Sequence, residues 1–571
     1  MNRSRTVALY LLGAALAALP LLFLLLFYVY PLFSIFQLSF ARGEGLLRSL
    51  LTALTAQSTQ RVLIFTFWQA TLSTLGAATL GLPAAYITAR YQFAGRSLFR
   101  ALTAVPFVMP TLVVAAAFDT LIGASGWINQ ILMAVFNLAV PPLHLTNSLT
   151  AIVLAHIFYN TTIFIRTVGD FAARIDPHLA AAACTLGASR WRAFWHVSLP
   201  LLMPAIIAAA LLVFLFNFTS FGVVLTLGGP RFATLEVEIY RQVTGLFNLP
   251  MAAALSIIQL LCTLLLTVIY TRLAARLSRP LGLQSPQRTQ TPLRSHRARV
   301  LTFGVLAATA ALLILPLFSL AARSFFSLEH GRDRTALQSG FTLQFYAALF
   351  TQDRPGIVQT SPQRAILVSL AYAAATVALS LLLGLPTAWT LARAPLPRLT
   401  ALLDPLLMLP IGTSAVTLGL GFIVALDTPP LDLRASPLLI PLAHTLVAFP
   451  FVVRSLTPAL NSIQPRLRHA AATLGANPLQ VIATIDLPLT ARAVLVAAVF
   501  AFTISLGEFG ATALLARPEY PTIPTLIYRY LSRPGGLNYG QALALSALLM
   551  LVCTIGILFI ERFRLGEGGE F

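Results

Sequence analysis

A stretch of about ninety residues is written twice in this chain, with no insertion separating the two registers. Leu154-Ala155-His156 answers Leu442-Ala443-His444, Arg166 answers Arg454, and Gly187 answers Gly475. Phe221-Gly222 answers Phe509-Gly510, and Ile239-Tyr240-Arg241 answers Ile527-Tyr528-Arg529, always at an offset of 288. Compositional bias does not hold one register over such a length, so the chain is two copies of one unit. Any fold it adopts has to be built twice and joined.

Composition sets the solvent for those units. The chain is 58% hydrophobic and 10% charged, with a mean hydropathy of +0.83, the profile of a polytopic membrane protein. Long runs such as 6–41, 62–89, 193–230, 300–322 and 534–560 contain no Asp, Glu, Lys or Arg. About 20 apolar residues cross the hydrocarbon core as a helix. We therefore expect an all-α membrane protein of about twelve transmembrane helices in two homologous six-helix halves. The spans fall near 8–38, 65–89, 101–123, 148–172, 201–226, 251–273, 300–322, 366–391, 401–426, 438–459, 489–515 and 541–561. The first half covers 1–276, a basic cytoplasmic linker covers 277–299, and the second half covers 300–571. The first apolar run is longer than the core of a cleavable signal, so it is read as a retained helix.

Arginine sets the orientation. Arg3, Arg5, Arg90, Arg96, Arg100, the linker arginines, Arg562 and Arg564 flank helix ends on one side, which the positive-inside bias makes cytoplasmic. Both termini then lie inside, in a multi-pass protein of a bacterial-type inner (plasma) membrane. The net charge of +20 is dispersed over these loops, so no nucleic-acid partner is expected; the lipid bilayer is. All 38 basic residues are arginine. Without lysine neither a phosphate-gripping P-loop nor a Schiff base can be built. No HExxH, GxSxG or paired CxxC occurs, so no catalytic residue, no metal site and no bound cofactor is expected, and the chain is read as no enzyme. Cys184, Cys262 and Cys553 imply no disulfide framework.

The most repeated part of the unit is a loop on the predicted inner side, 176–200 and 464–488. Asp176-Pro177 and Gln464-Pro465 start short helices in the favoured way. Gly187 and Gly475 end them. A second short helix then leads to Leu199-Pro200 or Leu487-Pro488. An exposed helix-Gly-helix, small along one side through Ala182, Ala183, Ala470 and Ala471, is a surface for another protein.

This spacing resembles the EAA loop of the permease subunits of ATP-binding-cassette importers, E-A-A-x-x-x-G-x(9)-I-x-L-P. Here it reads Ala181-Ala182-Ala183, Gly187, Val197, Leu199, Pro200, and His469-Ala470-Ala471, Gly475, Ile485, Leu487, Pro488. The spacing is complete in both copies, while the family's glutamate is replaced by Ala181 and His469. Phe221-Gly222, Leu227-Gly228-Gly229, Thr234 to Tyr240 and Gly507-Glu508-Phe509-Gly510-Ala511-Thr512 are similar to fused double permeases of the iron(III) and thiamine type. The resemblance implies a type I importer permease fold, two cytoplasmic ATPase subunits that each receive one loop and use the ATP, and an extracytoplasmic solute-binding protein. The implied solute is iron(III), thiamine or a similar small solute.

Glu508 stands in an otherwise apolar span, and a charge at that depth needs a wet cavity or a partner. Glu508, its counterpart Ser220, and Asn160 and Thr161 are the candidate pathway residues; polar groups at helix contacts also serve as packing glue. His156 and His444, paired by the repeat, are expected to share a structural role. Arg166 and Arg454 are expected to snorkel to the inner interface. The alternative function is a twelve-helix ion-coupled secondary transporter, which predicts charged groups in several spans, where only Glu508 and Asp119 stand.

Overall fold

The computed structural model describes residues 18–40, 46–277, 290–293, 295–326, 340–351, 361–393, 406–427, 429 and 431–565. Eleven helices among the described residues are long and apolar enough to cross a membrane. The first half supplies α1 (Ala18–Ser39), α2 (Gln57–Arg90), α3 (Arg96–Val108), α4 (Thr111–Ile122) and α5 (Leu149–Ala172). It continues with the short α6 (His178–Thr185), then α7 (Leu199–Phe218), α8 (Gly222–Leu227), α9 (Leu235–Thr244) and α10 (Leu249–Leu277). The second half repeats the plan with α11 (His296–Arg323), α12 (Pro362–Arg393), α13 (Ala415–Ala425), α14 (Leu439–Ser462) and α15 (Pro465–Thr473). It ends with α16 (Leu487–Gly507), α17 (Gly510–Leu515), α18 (Ile523–Leu531) and α19 (Gly536–Leu565). The span expected near 401–426 is a 3-10 turn, Leu409–Gly412, followed by the short α13; its start at 401–405 lies outside the described residues.

Three further expected spans are not continuous, and the reason is local. Pro110 has no N–H to donate and disfavours helical geometry in the residue before it. Met109 accordingly sits at φ −67°, ψ 135°, and the span 101–123 splits into α3 and α4. The span 201–226 breaks at Thr219–Phe221, and 489–515 breaks at Glu508, which is extended at φ −68°, ψ 125°. Broken backbone at membrane depth persists where it lines a cavity or is buried in protein.

Within each half the packing relies on close backbone approach. A Cβ on Gly81 of α2 would lie 2.6 Å from Phe164 of α5, and one on Gly384 of α12 would lie 2.6 Å from Val452 of α14. Lipid tails are as apolar as leucine, so helices associate in the bilayer through such close contacts. Between the halves the first helices are exchanged. α1 packs on α13 of the second half, with the Tyr28 hydroxyl 2.6 Å from Thr413 Oγ1. α11 packs on α4 of the first half, where the Ser319 hydroxyl donates to Thr120 Oγ1 at 3.0 Å.

Most of the central linker, 278–289 and Arg294, lies outside the described residues. The chain returns as β2 (Thr291–Pro292), which pairs in parallel with β1 (Tyr91–Gln92) of the first half. Arg96 donates to the Gln290 side chain there. Arg166, expected to snorkel to the inner interface, has a partner within the protein. Its guanidinium donates to Glu561 of α19 at 2.7 Å and joins the two halves. Arg454 is exposed.

Candidate functional site: a cavity at the seam of the halves

The helix breaks converge. A cavity of about 400 Å³ lies between the halves, walled by Met109-Pro110 at the α3/α4 break, Thr413-Ser414 before α13, Thr219 to Gly222 between α7 and α8, and Gly507 to Gly510 between α16 and α17. These four segments are two pairs related by the repeat. Broken helices of this kind build the solute sites of membrane transporters.

Each half carries a histidine with both ring nitrogens engaged, His156 on the wall and His444 off it. His156 Nδ1 lies 3.1 Å from Ser73 Oγ and its Nε2 lies 2.8 Å from Ser220 Oγ. His444 Nδ1 lies 2.8 Å from Ser505 Oγ, and its Nε2 lies 2.8 Å from Thr512 Oγ1 and 3.2 Å from Glu508 Oε2. The repeat thus keeps a histidine that ties the helix after the break to the helix before the loop, and changes its partners. Among the described residues no group of three His, Cys, Asp or Glu side chains is placed to hold a metal.

Glu508, Ser220 and Asn160 all lie on the cavity wall. Glu508 is saturated by its own chain: Oε1 accepts from the Ala511 amide at 2.9 Å, and Oε2 from the Thr512 amide at 3.1 Å and its hydroxyl at 2.7 Å. It caps α17. Asn160 donates to Asn217 Oδ1 at 2.7 Å, linking α5 to α7. Thr161 is not on the wall; it is fully buried and its hydroxyl donates to Ile157 O of its own helix, because one residue of helical advance turns it toward α2.

Sequence reasoning passed over Glu236. Lying two residues from Glu238, it reads as part of a polar loop, yet the loop re-enters as α9 and carries the carboxylate to the cavity wall at 2% exposure. Gln259 donates to its Oε1 at 3.0 Å, and the Ser414 side chain of the other half lies beside it. The phenylalanines of the two Phe-Gly pairs also meet: Phe221 and Phe509 stack with centroids 5.5 Å apart and planes at 22°. Tyr240 packs on Phe221 at 5.3 Å and Tyr528 on Phe509 at 5.4 Å, which makes a four-ring ladder symmetric about the seam. Because α7 and α16 run away from the repeated loops, this ladder lies at the cavity end remote from them. Phe216 and Phe500 lie nearer the loops.

The repeated loops stand clear of the bundle. No residue of α6 or α15 is buried, and Leu186 and Leu474, which end the two helices, are 89% and 88% exposed. Ala182, Ala183, Ala470 and Ala471 lie on those helices. Gly187 and Gly475 follow at φ +90° and +87°, the left-handed turn that favours glycine. Leu199-Pro200 and Leu487-Pro488 follow one-turn π-bulges, Phe194–Ser198 and Ile482–Asp486. The cause is the proline, which cannot donate to the carbonyl four residues back, so the turn before it widens. In the second loop Arg468 bonds to Asp486, whereas Ala180 and Ser198 occupy the corresponding positions of the first.

Residues 77–279 and 380–564 match the family described as the inner membrane component of binding-protein-dependent transport systems. The chain belongs to that family. This permease is 28% identical over 508 residues to the thiamine transport system permease protein ThiP of Brucella suis, covering 88% of this chain and 87% of the relative. It is 25% identical to ThiP of Escherichia coli over 88% of each chain, and 26% identical to ThiP of Haemophilus influenzae over 95% of this permease and 94% of that relative. Membership makes the permease a multi-pass transport component with duplicated halves, and it does not favour the ion-coupled secondary transporter.

Proposed function

We propose that this permease forms the membrane pathway of an ATP-driven importer for thiamine. The observation that carries the reading is the cavity on the seam between duplicated halves, where all four helix breaks meet. The solute is assigned from the relatives, whose names give thiamine rather than iron(III). Two separate cytoplasmic ATPase subunits dock on α6 and α15, whose alanine and leucine faces have no cover among the described residues. They bind and use the ATP, and this chain holds no cofactor. A solute-binding protein delivers from the opposite side, and both termini are cytoplasmic. Closure of the ATPases draws the two loops together, and the helices transmit that motion to the seam, which gives alternating access.

The test is reconstitution in proteoliposomes with the partner ATPase and the binding protein. ATP-dependent accumulation of labelled thiamine is expected, and deletion of Gly187 to Ser189 should uncouple it from hydrolysis. Uptake driven by a proton gradient in this chain alone would refute the proposal.

A further inference from the structure

The repeat shows what the fold itself requires, and Glu236 is outside that requirement. Its counterpart in the second half is Pro524, and the counterpart of its partner Gln259 is Ala547. The same re-entrant helix is therefore built in α18 with no carboxylate. A buried carboxylate is costly unless it is paired, so a one-sided one on a cavity wall calls for a use. Among the described residues Glu236 accepts a hydrogen bond from Gln259 and lies beside Ser414, and a carboxylate offers about four acceptor positions. The other carboxylate on the wall, Glu508, has its oxygens taken by α17 and His444. Among the described residues no arginine lines the cavity, and its one histidine, His156, is held between two serines. Of the two wall carboxylates, Glu236 is the one with acceptor positions to spare for a cation.

The rest of the wall is aromatic. Phe221 and Phe509 face each other across the seam, with Tyr159, Phe216 and Phe500 around them. When the halves part, each phenyl of the stack loses a partner, and a planar ring entering between them restores the contact. Ring faces also attract cations. A volume of about 400 Å³ suits a small organic molecule.

Resting on the thiamine reading, we propose that Glu236 is the counter-charge for a planar organic cation whose ring is held by Phe221 and Phe509. Binding of labelled thiamine to the purified permease in detergent, without ATPase or binding protein, tests it, with neutral planar thiochrome as the comparison solute. Glu236→Gln keeps the shape of the side chain and removes its charge. It should weaken thiamine binding about tenfold or more, leave thiochrome binding within twofold, and keep the thermal unfolding midpoint. Phe221→Leu, which keeps apolar bulk, should weaken both solutes. Equal thiamine binding by the wild type and by Glu236→Gln overturns the site and leaves the thiamine reading standing. Loss of both solutes in Glu236→Gln overturns it too, because the residue would then be structural. Binding of a different planar cation, in a Glu236-dependent way, overturns the thiamine reading and keeps the site. Preference for neutral or anionic solutes overturns both.

Discussion

Replacing Glu508 by glutamine separates capping from charge in a way the geometry makes quantitative. The carboxylate receives the Ala511 amide on one oxygen and the Thr512 amide and hydroxyl on the other. An amide side chain has one acceptor, so whichever way it turns, one backbone N–H of α17 faces an NH2 group. The less costly turn keeps the Thr512 side and orphans the Ala511 amide. A hydrogen bond to a charged acceptor contributes about 1.5–3 kcal/mol net. Opening of this six-residue helix should therefore become roughly tenfold to hundredfold more frequent. Hydrogen exchange followed by mass spectrometry on the peptide from Phe509 to Leu515, in detergent, reads that opening directly. The peptide covering α8, which has Ser220 at the corresponding position, is the internal control and should not change. Exchange in α17 within twofold of wild type would refute the capping argument and return Glu508 to the candidates for direct solute contact.

Three further outcomes follow from the structure. Gly475→Ala meets no atom within 4 Å, so it should cost only the left-handed backbone penalty, about 1–2 kcal/mol; limited proteolysis should cut this loop faster in Gly475→Ala than in Gly475→Asn, and equal rates would contradict it. Arg166→Ala should destabilise more than the double variant Arg166→Ala, Glu561→Gln, with a coupling of about 1 kcal/mol in a thermal-unfolding cycle. Asn160→Leu should lower stability by about 1–3 kcal/mol by stranding Asn217, whereas Thr161→Val should stay within about 0.5 kcal/mol, both read from unfolding midpoints.

What the sequence revealed depended on whether a signal was local or shared between the copies. Hydrophobic run length gave most of the spans, since a bilayer needs a fixed number of apolar residues, and the repeated register marked α6 and α15 with their glycines. The breaks inside spans were hidden, because Met109-Pro110 and Gly507-Glu508 interrupt runs that stay apolar on both sides. Glu236 was lost for the opposite reason: a polar neighbourhood made a re-entrant helix look like a loop. Phe221 and Phe509 were visible as a matched pair, but no property of one register says that two matched residues touch. Arg166 finds Glu561 across 395 positions, a contact that only the packed bundle specifies.

The exchanged helices bear on how the protein is made. α1 is made ahead of the other described helices, yet the surface it covers on α13 is synthesised nearly 400 residues later. At about 5–20 residues per second, the side of α1 that meets α13, with Tyr28 next to it, waits for at least some twenty seconds facing lipid or a membrane chaperone. Translation speed through the second half, and whatever shelters α1 in the meantime, then becomes a control on yield that no property of the finished transporter discloses.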